Sequence, residues 1–238
     1  MLPEAVKKEG ELTNDSSNVL EEAKNAKESG RPIILASMGT LIVSNHELNG
    51  WNGRSGGANK LTGREMCQSA WGAVLDEYGS DAACTEEKLP LIIMSIWHQR
   101  NALGNDIAVP SNAICLPSIP QFDLLRIGVD LFLTHGGQNS FTEAMATATP
   151  VVVCPGFGDQ VVNSRKAVTL GVGLGVDRPH ANVGDENLVA EKYRKNVAAA
   201  LRQVYANRAQ YQAAAEKCKA RLDSCGGVAH AVDVLLNV

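Results

Sequence analysis

The stretch DLFLTHGGQNSFTE, residues 130–143, decides the fold. Its first five residues are uniformly apolar apart from the ends, as expected of a parallel strand covered on both faces. The strand delivers His135 at its carboxyl end, where open α/β sheets bind ligands. Gly136 and Gly137 allow a sharp turn and a close backbone approach. Asn139 or Ser140 then caps a helix, whose first turn points unpaired N–H groups and a positive dipole end outward, a seat for phosphate. His135 adds a hydrogen bond there, and a positive charge if protonated. Glu143 lies about one turn further along the helix, where a carboxylate repels phosphate and accepts both hydroxyls of a ribose.

The neighbouring units repeat this geometry. The run Val151 to Cys154 ends in PGFGDQ, which brings Asp159 and Gln160 to the next strand end. An adjacent acid and amide suit vicinal sugar hydroxyls. Upstream, PSIPQFDLL (117–125) sits at another strand end, with Ile119 and Gln121 placed to hold a flat base edge. Ser37-Met38-Gly39-Thr40 supplies a fourth strand end with a hydroxyl and a glycine N–H.

Short apolar runs at 32–38, 89–96, 113–116, 129–134, 150–154 and 172–176 alternate with helical patterns at 62–78, 139–147 and 160–170. The succession implies an α/β fold with a doubly wound parallel sheet. The last third is helical, with Tyr193, Val197, Leu201 and Val204 on one stripe, a second helix at 209–222, and a Gly226-Gly227 break before a final amphipathic helix. The division expected is a polar tail or linker over 1–30, carrying a short helix around Val19 to Lys27, and one ligand-binding domain over 31–238.

The chain has 238 residues, 45% apolar and 20% charged, with a net charge of −4. That balance argues against a dedicated nucleic-acid binder, which shows a basic face. The six cysteines form no C-x-x-C pair, so neither a zinc site nor a disulfide framework is expected, and reduced thiols point to the cytoplasm. The polar amino terminus has no apolar core of a secretory signal. No apolar run approaches the ~20 residues that cross a bilayer.

The segment from Pro117 to Gln160 resembles the donor-binding signature of the UDP-glycosyltransferase family, the GT-B enzymes that act on macrolides, plant metabolites and sterols. The similarity extends more weakly from Pro32 to Leu236, including GGVAHAVD at 226–233. The resemblance implies a Rossmann-like carboxy-terminal half of a GT-B fold. By the same resemblance, His135, Gly137, Asn139 and Ser140 contact the donor diphosphate and Glu143 the ribose. Asp159 and Gln160 hold the donor sugar, Ile119 and Gln121 flank the base, and Thr40 is the hydroxyl of the first strand turn. The implied activity is inverting, metal-independent transfer of a hexose from a UDP-sugar to a small hydroxyl-bearing acceptor, with no cofactor beyond the donor. It also implies an amino-terminal domain or partner chain carrying the acceptor pocket and catalytic base, since no catalytic residue is identified here. A split-enzyme subunit and a non-catalytic nucleotide-sugar module are the alternatives.

One departure stands out. Plant-type members place a tryptophan against the base where this chain has Ser118, and base stacking is worth ~1–3 kcal/mol. Other motifs lead elsewhere. The glycines of GVGLGV (171–176) open no helix, and GRSGGANK (53–60) lacks P-loop spacing. His46 and His98 are expected at the surface. The Asn/Gly-rich loop 44–63 leaves the first strand at its ligand end, so it is expected either to reach the donor or acceptor or to be a solvated insert, with Trp51 and Arg54 as its test residues.

Overall fold

A strand buried on both faces needs apolar residues at consecutive positions, and Ile33–Ser37 supplies four followed by a serine, all five buried. This is β1, the centre of the molecule. The computed structural model describes residues 16–55, 59–81, 89–99, 101–105 and 107–237. Cys84, residues 1–15 and part of 53–60 lie outside the described residues.

Around β1 the chain lays down β2 (Leu91–Ser95), β3 (Ala113–Leu116), β4 (Leu131–Thr134), β5 (Val151–Val153) and β6 (Gly173–Gly175). All pairings are parallel, in the order β3-β2-β1-β4-β5-β6. The strand order reverses between β1 and β4, the place where doubly wound sheets open a crevice at their carboxyl ends.

The helices are α1 (Ser16–Glu28), α2 (Gly63–Tyr78), α3 (Gln121–Gly128), α4 (Gln138–Ala146), α5 (Asp159–Thr169), α6 (Glu186–Ala206), α7 (Arg208–Asp223) and α8 (Gly227–Leu236). Alternate strand residues feed two cores. Ile34, Ala36, Ile92 and Met94 face α2 and α6, whose Trp71, Tyr193, Val197 and Leu201 are enclosed there. Ile33, Leu35, Ile93 and Phe132 face α1, α3 and α4, meeting Val19, Leu124 and Ala144. Burying one large apolar side chain in this way contributes ~1.5–3 kcal/mol.

Thr62 starts α2 as the sequence implies. Its hydroxyl accepts from Glu65 N at 3.2 Å, and the Glu65 carboxylate accepts from Thr62 N at 2.6 Å, a reciprocal capping box. The expected short helix in the tail forms as α1, but Val19, Ala23 and Ala26 are buried in the second core, so residues 16–28 are part of the domain. Helix α3 is absent from the sequence reading. It is only eight residues long and follows Pro120, whose fixed φ suits a helix entrance, so the segment reads locally as a loop.

The described residues of loop 44–63 are not a wholly solvated insert: several are anchored in the core, and none of them lines the cleft. Trp51 is buried against Trp71 with ring centroids 6.1 Å apart. Arg178, only 4% exposed, donates to the carbonyls of Gly53 (3.0 Å) and Leu61. Arg54 donates to Lys60 O and lies 3.8 Å from Glu186. Both residues chosen to test the loop therefore act in its packing. The Gly226-Gly227 break precedes α8, whose Val228, Leu235 and Leu236 are exposed.

Candidate functional site

The crevice is a cleft of about 420 Å³ across the strand reversal. Ser37, Gly39 and Thr40 line it from the end of β1, Ser95 and Trp97 from β2, and Ser118, Ile119 and Gln121 from β3. His135, Gly137, Gln138, Asn139 and Ser140 line it from the β4–α4 turn. Of the residues singled out in the sequence, Thr40, Ile119, Gln121, His135, Gly137, Asn139 and Ser140 thus converge on one cavity. Glu143, Asp159 and Gln160 stand behind its walls.

The imidazole of His135 is wedged between two glycines. A Cβ at Gly39 falls 2.4 Å from Nε2, and one at Gly137 also falls 2.4 Å from Nε2. Gly39 additionally has φ +72°, which side-chain-bearing residues rarely adopt. Enclosure dominates the charge state: burial pushes the His135 pKa down to about 4, while the Asp159 carboxylate and a hydrogen bond to the Ser37 backbone pull weakly upward. His135 is therefore neutral at pH 7, so of the two contributions expected of it the hydrogen bond is the one available without protonation. Its Nδ1 is buried with no partner among the described residues, and an unpartnered buried polar atom is costly unless something completes it.

Neither Asn139 nor Ser140 is the cap. Gly137 occupies the N-cap of α4, no side chain caps it, and both residues lie within the first turn. This leaves a helix mouth of backbone donors. The N–H of Gln138 is taken by Asp159 Oδ2 at 3.0 Å, whereas those of Asn139 and Ser140 find no partner among the described residues. The first N–H groups of a helix have no intrahelical acceptor, so these donors suit an anion.

The walls behind the cleft form two supports. Gln121 Nε2 donates to Glu143 Oε2 at 2.6 Å and to Ser140 Oγ at 3.1 Å, linking α3 to α4. Glu143 thus reaches the cleft through two residues that line it. Gln160 is buried, and its Oε1 accepts from Gly156 N (2.8 Å) and Phe157 N (3.3 Å). Its oxygen is committed to shaping the β5–α5 loop, while Asp159 is exposed and braces α4.

Three lining residues escaped the sequence reading: Ser95, Trp97 and Gln138. Trp97 and Ser95 carry no local signal because β2 ends in no glycine turn or cap motif. Among the described residues, no three His, Cys, Asp or Glu side chains converge to hold a metal, and no helix is long and apolar enough to cross a membrane. Cys115 and Cys154 are buried free thiols, pushed up to about 12 by burial. His46 is exposed and its Nδ1 accepts from Leu48 N and Asn49 N, and His98 is exposed as well.

A family model described as UDP-glucoronosyl and UDP-glucosyl transferase matches residues 88–208, just over half the chain and three of the four strand ends around the cleft. The chain belongs to this family. Within this UDP-sugar glycosyltransferase family, an uncharacterized UDP-glucosyltransferase of Bacillus subtilis, YojK, is 32% identical over 146 residues, covering 61% of this chain and 32% of its own length. The oleandomycin glycosyltransferase of Streptomyces antibioticus is 32% identical over 122 residues, covering 48% of this chain and 28% of its own. The match therefore spans about a third or less of the length of these curated relatives.

Solved structures share the fold. The glycotransferase of kitacinnamycin superposes with TM-score 0.58 at 20% identity, over 88% of this chain and 44% of that one. Os79 from O. sativa, in complex with UDP, superposes with TM-score 0.56 at 17% identity, over 87% and 38%. The six-stranded parallel sheet with flanking helices is accordingly the Rossmann-like architecture of the GT-B glycosyltransferases.

Proposed function

We propose that this chain is the donor-binding domain of a UDP-sugar-dependent hexosyltransferase. The observation that carries the reading is the cleft at the strand reversal, where the bare mouth of α4 meets an imidazole held between two glycines. In this reading the donor diphosphate lies against the N–H groups of Asn139 and Ser140 and against His135, beside Gly137 and the Thr40 hydroxyl. Glu143 and Gln121 take the ribose, Ile119 flanks the base, and Asp159 with the Gln160 amide faces the sugar.

Transfer with inversion breaks the bond between the anomeric carbon and the diphosphate oxygen as an acceptor hydroxyl attacks from the opposite side. Charge then grows on the departing UDP, where preorganised backbone donors stabilise it most. These donors do the work without a protein-bound metal or further cofactor. Contact with the diphosphate commits His135 to the leaving group, so deprotonation of a small hydroxyl-bearing acceptor falls to a base from another domain or chain.

Calorimetry of the chain with UDP, dTDP and GDP, then UDP-glucose and UDP-N-acetylglucosamine, tests the reading. UDP and at least one UDP-hexose bind, and His135→Ala weakens both. A folded chain that binds none of these nucleotides sinks the donor assignment.

A further inference from the structure

We propose that Trp97 forms the wall on which the nucleobase of the donor stacks, standing at the end of β2 in the place that Ser118 leaves open at the end of β3. The inference rests on the donor reading above and names its base subsite.

Besides the His135 imidazole, Trp97 carries the aromatic ring among the described residues that line the cleft. The parallel register pairs Ser95 with Leu116. Two residues further on, beyond the ladder, Trp97 and Ser118 both line the cleft from the ends of these neighbouring strands. The two chain ends are tied just below that level. Ile96 N donates to Leu116 O at 2.9 Å, and Ser95 Oγ donates to Pro117 O at 3.4 Å. A ring on either strand therefore borders the same end of the cleft. The serine side chain is small and exposed, so only the indole offers a flat face.

Trp97 is also held in an unusual backbone. Its φ is +61°, a left-handed conformation that bulky residues avoid unless the surroundings enforce it, and such strain clusters at ligand sites. The enforcement is visible on both sides. Next to it, Gln99 Nε2 donates to Val43 O at 2.7 Å and to Asn45 Oδ1 at 3.0 Å, pinning the turn to the segment after β1. The His98 ring meets the indole edge-on with centroids 5.5 Å apart. One side of Trp97 packs on the core and the rest borders the cleft, leaving it half-buried.

The spacing of the strand ends suits a nucleoside. In the strand order, β2 is separated from β4 by β1, so two spacings set the carboxyl ends of β2 and β4 ~10 Å apart. A ribose bridges that gap.

The test uses the full chain and two variants. Trp97→Asn removes the ring while keeping a residue that tolerates left-handed backbone, and Trp97→Phe keeps a ring. Calorimetry is run with UDP and with inorganic pyrophosphate, which has no base. Trp97→Asn is expected to lose roughly 5- to 150-fold in UDP affinity, the range of one stacked base, with pyrophosphate binding unchanged. Trp97→Phe stays within a few-fold of the parent. Fluorescence gives an independent reading, because Trp51 and Trp71 are buried at 6% and 0% exposure. UDP should quench the parent's emission, and the quenching should vanish in Trp97→Phe although UDP still binds. Undiminished UDP binding by Trp97→Asn overturns the inference, as does equal loss of UDP and pyrophosphate, or quenching that persists in Trp97→Phe. Each of these leaves the donor reading standing, since the parent chain binds UDP in all of them. A parent chain that binds no nucleotide fails the donor reading and this inference with it.

Discussion

The two ends of the cleft are built on different terms. At the β4 end, the working groups are backbone N–H donors of α4 and a ring clamped between Gly39 and Gly137, with no room for one added carbon. At the β2–β3 end they are side chains, Trp97, Ser118 and Ile119, on turns that protrude from the sheet. The difference teaches where each end can vary. Backbone donors persist through most substitutions, but their geometry depends on what neighbouring atoms leave empty. A side-chain wall is exchanged by one mutation, and its contribution can pass from one strand end to the next.

The strongest way to break this contrast is at the clamp. Gly137→Ala puts a methyl into the His135 ring, which must swing into the phosphate seat. The expected loss of UDP affinity is on the order of 100-fold, equivalent to one or two charge-assisted hydrogen bonds. Calorimetry beside a circular-dichroism control of folding measures it, and near-parental binding would show that the clamp is slack.

The next effect is acid sensitivity. The His135 pKa is about 4 in the folded chain and about 6.5 in an unfolded one. Between these values the unfolded state takes up the proton first. The stabilising contribution is therefore complete above about pH 6.5 and is lost as pH falls towards 4, up to roughly 3 kcal/mol. Chemical denaturation at pH 7 and pH 4.5 should show the loss, and His135→Asn should flatten it. UDP-glucose, by placing negative charge beside the ring, should reduce the acid loss in the parent. A parent and variant with parallel pH profiles would break this account.

The smallest effect sharpens the middle of the cleft. Glu143→Ala removes the acceptor that Gln121 holds at 2.6 Å, and UDP affinity should fall about 10-fold. The 2′,3′-dideoxy analogue of UDP should bind parent and variant alike. An equal loss for both nucleotides would make Glu143 a brace for α4 instead of a ribose contact.

Much of the fold was legible because its signals are local. Consecutive apolar residues such as those of Ile33–Ser37 fit a strand with two covered faces, and Thr62 with Glu65 marks a helix start. The stripe Tyr193, Val197, Leu201 and Val204 is buried as its spacing implies. Helix α3 escaped because eight residues behind a proline carry too little periodicity. In the cleft, the turn 135–140 was readable since one segment supplies His, glycines and helix start together. The partners of its side chains were not: Asp159 braces Gln138, and Gln160 turns inward to Gly156.

The sequence by itself determined a parallel α/β sheet, its strand ends and the His-Gly-Gly turn that opens a helix after β4. These follow from side-chain hydrophobicity and backbone chemistry within a few neighbouring residues. Only the tertiary structure decided that His135 is neutral, that the loop 44–63 is packed by Arg178, and that Trp97 and Ser118 border one cleft. Each of those depends on burial or on register between segments far apart in the chain, and no local pattern encodes the distance between them.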